Sequence, residues 1–258
     1  MMINKYIFPL IALTSFGANS ATIDITFGSF TAEWQNVVTS DGGNTTTESG
    51  TATAPVISWG GSAGYGQSGY TFESEDTFVT TFDSATEQSD IFNLGTFTHA
   101  NNPVYPPSLD TAQLKLTTTV SLDGAVASPI EFLFDFNHEE TPNNDTPCAY
   151  PETVQQPGVN DNGCADRVLV SSAATTQTFL IDSVQYTIAV EGFKVSENTI
   201  SSFLTKEVED NEAIITAKVM SYERAMVPPT QKIPEPTPLA LLGAGFIFFA
   251  RRIRVQTP

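Results

Sequence analysis

Ile130-Glu131-Phe132-Leu133-Phe134-Asp135-Phe136 sets a large apolar residue at every second position. A period of two puts Ile130, Phe132, Phe134 and Phe136 on one face of an extended strand, turned toward a core. Leu114, Leu116, Thr118 and Val120 repeat the pattern upstream. Residues 177–190 read as two strands joined near Asp182-Ser183, and residues 213–220 as one more. Short runs rich in Thr, Val, Ile and Phe recur between turn residues about every ten positions, which is strand composition. One window, 196–208, carries a faint helical period. This spacing predicts an all-β chain: an antiparallel β-sandwich of the jelly-roll kind. Residues 39–53, 60–69 and 139–162, rich in Gly, Ser, Thr, Pro, Asn and Asp, read as long loops.

Charge narrows the partners. The 258 residues hold 29 acidic and 11 basic side chains, for a net charge of −18. Lys5, Arg251, Arg252 and Arg254 lie near the two ends, so the region between is more acidic still. Such a surface repels nucleic acid, whose binders carry basic patches. It also repels acidic polysaccharide unless divalent cations bridge the two. With 18 Phe, the chain is too apolar to stay disordered.

The two ends read as addresses. Lys5, the apolar run 6–16 and the small residues Ala18-Asn19-Ser20 form a secretory signal peptide, cut after Ser20. The competing reading is an N-terminal core strand. At the other end, residues 227–238 contain five prolines and form a stiff spacer. Residues 238–250 carry no charge. As a helix they span about 20 Å, short for a bilayer core of about 30 Å. Arg251, Arg252 and Arg254 then resist translocation. A buried core helix would show a polar face, and this run has none. The layout is therefore a signal peptide at 1–20, a β-sandwich at 21–226, the spacer at 227–238 and a hydrophobic sorting helix at 239–258.

Pro234-Glu235-Pro236, the Leu/Gly/Phe run and the closing arginines resemble the PEP-CTERM sorting signal of Gram-negative bacteria. The resemblance implies processing by an exosortase, after a signal peptidase has acted at the other end. It implies export across the inner membrane to the cell surface or an extracellular matrix rich in polysaccharide. Membrane contact would run only through the tail, before processing.

A second resemblance lies inside the domain. Thr98-His99-Ala100-Asn101, read as a polar turn after a strand ending at Phe97, is similar to the motif of the THxN, or choice-of-anchor type K, family. Trp59-Gly60, Ser68-Gly69-Tyr70, Phe92-Asn93-Leu94-Gly95, Glu140-Thr141-Pro142-Asn143, Cys148 and Cys164-Ala165-Asp166-Arg167 fit it too. The resemblance implies a surface or matrix location and assigns no catalytic residue.

Candidate chemistry is sparse. Cys148 and Cys164 are the only cysteines, and in an exported chain they favour a disulfide over a reactive thiol pair. His99 and His138, with Asp135, Glu139 and Glu140, form a metal site if the fold brings them together; otherwise they are turn histidines bonded to backbone. Asp145, Asn160, Asp161 and Asn162 offer oxygen ligands for calcium, against plain loop chemistry. Glu131, Asp135 and Glu140 are the carboxylates a glycosidase would need, against solvent-facing strand charge. Trp34, Trp59, Tyr65 and Tyr70 stack on sugars if exposed, against core packing. With no phosphate loop or H-E-x-x-H in the sequence, the expectation is a non-enzyme without an obligate cofactor.

Overall fold

A computed structural model describes residues 22–222, apart from 44, 123, 127, 128, 173–177, 182 and 183. The signal peptide, the spacer and the sorting helix fall outside these residues. Among the described residues every regular element is a strand and every pairing is antiparallel. Two large sheets face each other, one of 13 strands and one of five, so the chain is a β-sandwich.

The five-stranded sheet is built around Ile130–Glu139, flanked by Leu109–Thr118 and Asp166–Ser172, with Thr31–Thr39 and Ser202–Thr205 at its edges. The alternation acts as expected: Ile130, Phe132, Phe134 and Phe136 are all buried. The facing sheet sets Phe92–Asn101 between Ser68–Ser74 and Glu209–Tyr222. Its Phe97 stacks on Phe136 with ring centroids 5.3 Å apart, joining the sheets. Each fully buried Phe contributes about 1.5–3 kcal/mol of transfer free energy, so these aromatic rows supply much of the drive to fold.

Three expectations change. Residues 196–208 form no helix; they hold the strands Asn198–Ile200 and Ser202–Thr205, whose Phe203 turns into the core. Tertiary pairing outweighs the weak helical period there. The run through Val120 is two strands, because the chain leaves one sheet at Thr118 and enters the other at Val120. Gly28 makes that corner possible: a Cβ there would lie 2.5 Å from Thr119 Oγ1. Finally, the reputed loops 39–53 and 60–69 hold the strands Thr47–Gly50 and Gly61–Ser62.

The strands predicted near 177–190 do pair, Phe179–Ile181 against Val184–Val195. The edge strand Ser202–Thr205 is closed in an unusual way. Gln156 Nε2 donates to the Leu204 carbonyl at 2.6 Å, and Leu204 N–H donates to Gln156 Oε1 at 3.1 Å. One buried side-chain amide thus satisfies both backbone groups of an edge residue.

Candidate metal centre

The apolar rows turn polar at one end of the sandwich. Along Ile130–Glu139 the inward series runs Ile130, Phe132, Phe134, Phe136, His138; along Phe92–Asn101 it runs Phe97, His99, Asn101. The two histidines come from opposite sheets and meet with ring centroids 5.2 Å apart, nearly perpendicular. Trp59 stacks on His99 at 5.6 Å and meets His138 edge-on at 5.3 Å. His99, Asn101, Asp166 and Glu207 are fully buried, and His138 nearly so. The T-H-x-N segment is therefore strand, not turn: Tyr70, His99 and Asn211 lie side by side across three strands. Thr98 points the other way and is partly exposed.

Asp166 opens the strand Asp166–Ser172 on the inward face that Val168 continues. Glu207 comes from the turn after Thr205, and Glu140 from the chain leaving Glu139. The ligand atoms of His99, His138 and Asp166 lie within 4.8 Å of one another, and so do those of Glu140, Asp166 and Glu207. His138 Nε2 is 3.3 Å from Glu140 Oε2 and 3.9 Å from Asp166 Oδ2.

Hydrogen bonds around the cluster fix its orientation. Thr205 Oγ1 lies 2.9 Å from His99 Nδ1 and 3.4 Å from the Asp166 carbonyl. When Thr205 donates to that carbonyl, His99 Nδ1 carries the ring proton and Nε2 is a lone pair, and Nε2 is buried without a partner. Tyr70 Oη is 2.7 Å from His138 Nδ1. Thr141 N–H donates to Asp166 Oδ1 at 2.7 Å, while Asp166 Oδ2 has no partner. Asn101 Nδ2 donates to the Thr205 carbonyl at 2.9 Å, and its Oδ1 is unpartnered. Both Glu207 oxygens and Asn143 Oδ1 are buried without a hydrogen bond.

The loop holding Glu140 and Asn143 is tied down from behind. A disulfide joins Cys148 to Cys164. Thr141 Oγ1 donates to the carbonyls of Cys164 and Ala165 at 2.9 and 3.1 Å. Gly163 has φ 145°, and a Cβ there would sit 3.2 Å from Glu207 Cγ. Only glycine takes this backbone while leaving Glu207 its place.

Electrostatics follow from burial. It holds His99 well below the ordinary imidazole range, with His138 adding to the effect, and lowers His138 against the pull of Asp166. Burial raises the Glu140 carboxyl to about 7. It raises Asp166 to about 8, helped by the Glu140 and Glu207 charges and opposed by His138 and the Thr141 N–H. Glu207 rises to about 7 for the same first two reasons, burial and Glu140; Asn101 and Asn143 lie close enough to oppose this without forming a hydrogen bond. These carboxyls hold protons more tightly folded than unfolded, so their stabilising effect is full below the ordinary values of 3.8 and 4.5 and disappears as pH rises toward about 8. Chelator-treated protein is expected to lose melting temperature across that window, with Asp166→Asn flattening the loss. A wild-type slope unchanged by the substitution would contradict this account.

The other sequence candidates separate. Glu139 bonds outward to Arg167 and Tyr150, away from the histidines. Asp135 accepts from Gln113 Nε2 at 2.8 Å on the outer face of the five-stranded sheet. Glu131 lies on that face too, near Lys115 Nζ at 3.6 Å. The proposed trio Glu131, Asp135 and Glu140 is therefore split, because strand alternation sends the first two outward. The calcium candidates are mostly occupied by the loop itself. Asn160 bonds Tyr150 O and Ala165 N, Asn162 Nδ2 bonds Glu207 O, Asp161 pairs with Lys206, and Asp145 is exposed. Trp34, Trp59 and Tyr70 are buried between the sheets and present no ring to solvent. Of the four proposed aromatic contacts only Tyr65 is exposed, at 62%; Tyr105, which sequence reasoning passed over, is exposed at 65%.

Comparison with known proteins bears on the other end of the chain. Residues 232–255 match the PEP-CTERM protein-sorting motif. The chain carries a PEP-CTERM signal. The match contains Pro234, Glu235, Pro236, Arg251 and Arg252, all outside the described residues. A PEP-CTERM signal implies export, exosortase processing and a surface or extracellular destination in a Gram-negative bacterium. No curated protein matches the chain.

Proposed function

We propose that this is a non-enzymatic structural or adhesive protein of a polysaccharide-rich cell-surface matrix, delivered there by exosortase. The observation that carries the reading is the sorting signal at 232–255 behind an acidic β-sandwich. Supporting it, the carboxylates that cluster do so inside the sandwich, where a polymer chain has no approach. The negative surface favours solubility outside the cell and suits cross-bridging through divalent cations. The resemblance to THxN, choice-of-anchor type K domains agrees with a matrix location. Deleting residues 234–254 is expected to abolish surface display while leaving export intact. Normal display of the shortened protein would refute the sorting claim.

Glycan binding is a second reading, favoured by one observation. Tyr65 and Tyr105 protrude beside the short pairing of Gly61–Ser62 with Val104–Tyr105, and exposed tyrosine rings stack on sugar faces. Silence on a glycan array would remove this reading and leave the structural one.

A further inference from the structure

We infer that the polar end of the sandwich binds one divalent transition-metal ion of the zinc type, with His99 Nε2, His138 Nε2 and Asp166 Oδ2 as its donors and Glu140 and Glu207 beside them. This goes beyond the sorting and matrix reading and does not depend on it.

Four observations point there. First, His99 Nε2 is buried without a partner, while Nδ1 is engaged by the Thr205 hydroxyl. A buried lone pair left bare costs about 1–3 kcal/mol, and a metal ion is its natural complement. Second, Asp166 Oδ2 and both Glu207 oxygens are also buried and unpartnered. Among the described residues no Lys or Arg pairs with them: Arg167 pairs with Glu139, and Lys206 with Asp161 and Glu209. Third, the donors already converge within 4.8 Å of one another. Fourth, each donor is held from behind: His99 by Thr205, His138 by Tyr70, Asp166 by Thr141. That is the outer hydrogen-bond shell a metal site needs to orient its ligands.

The donor chemistry selects the ion. Two imidazole nitrogens and a carboxylate suit zinc and its first-row neighbours, whereas calcium and magnesium take oxygen ligands. Metal binding requires His138 to donate Nδ1–H to Tyr70 and present Nε2 to the ion. Without metal the opposite tautomer has Tyr70 donating and Nε2–H directed at Glu140. The site is closed by Trp59 and both sheets, which fits a structural ion and not a catalytic one.

The test uses the exported protein, stripped with chelator and desalted. Titration with zinc is expected to give one equivalent per chain. At a hundredfold excess over the dissociation constant it should raise the melting temperature by about 5–10 °C. Cobalt(II) should give a ligand-field absorption band in the wild type. His99→Gln and Asp166→Asn should each weaken zinc affinity at least tenfold. Retention of no zinc, a melting temperature indifferent to it, or stabilisation by calcium alone would overturn the assignment. So would unaltered zinc affinity in Asp166→Asn. If a variant fails to fold, wild-type stoichiometry and the cobalt spectrum still decide.

Discussion

Trp59→Ala is expected to destabilise the sandwich by about 3–5 kcal/mol, the usual cost of deleting a buried Trp or Phe. Trp59 is fully buried and touches Tyr70, His99 and His138 at centroid distances of 4.8–5.6 Å. Its removal opens a void beside the polar cluster, where water can reach side chains that the fold keeps dry. Two losses then add, the apolar contact and the low-dielectric setting of the histidines. The denaturation midpoint should fall with little change in slope. A loss below about 1 kcal/mol, on the scale of a surface substitution, would mean that Trp59 is accessible and free for ligand contact.

Replacing Cys148 and Cys164 together by serine should cost about 3 kcal/mol, through the closure entropy of a short loop. The bridge spans 16 residues of sequence. The bridge closes residues 148–164, and the segment leading into it carries Glu140, Asn143 and Thr141, which holds Asp166 and is itself tied to the Cys164 carbonyl. The effect should therefore exceed loop fraying: the melting temperature should drop by about 6–12 °C, and proteolysis should begin within 142–163. A double variant as stable as the wild type, with the loop still resistant to protease, would show that the hydrogen bonds of Thr141, Asn160 and Gln156 hold it unaided.

The sandwich was legible because alternation is a local signal. Ile130 to Phe136 showed which face is inside, and no distant contact could reverse it. The same signal ran two residues further than it was read. His138 continues the Phe row and His99 continues from Phe97, so period two alone would have turned both histidines inward. They were read as turn residues because His, Thr and Asn are common in turns. Asp166 had a similar cue, standing two and four residues before Val168 and Val170. Glu207 had none, since it reaches the cluster from a turn whose path depends on the whole fold. The residues of the buried polar cluster were anticipated only in part for this reason. Glu139 and Asp135 are neighbours of the site in sequence, but a strand sends alternate side chains to opposite sides. Three of the four glycan candidates, Trp34, Trp59 and Tyr70, are buried for a similar reason: composition cannot distinguish a Trp in the core from one at the surface, where Tyr65 does lie.

Gln156 also bears on whether copies of the chain can join edge to edge. Acting as a borrowed peptide unit, it occupies the Leu204 backbone on the flank of the smaller sheet. A stranger chain that tried to extend the sheet there would first have to dislodge it. A second copy of the chain is thus hindered from pairing along that border.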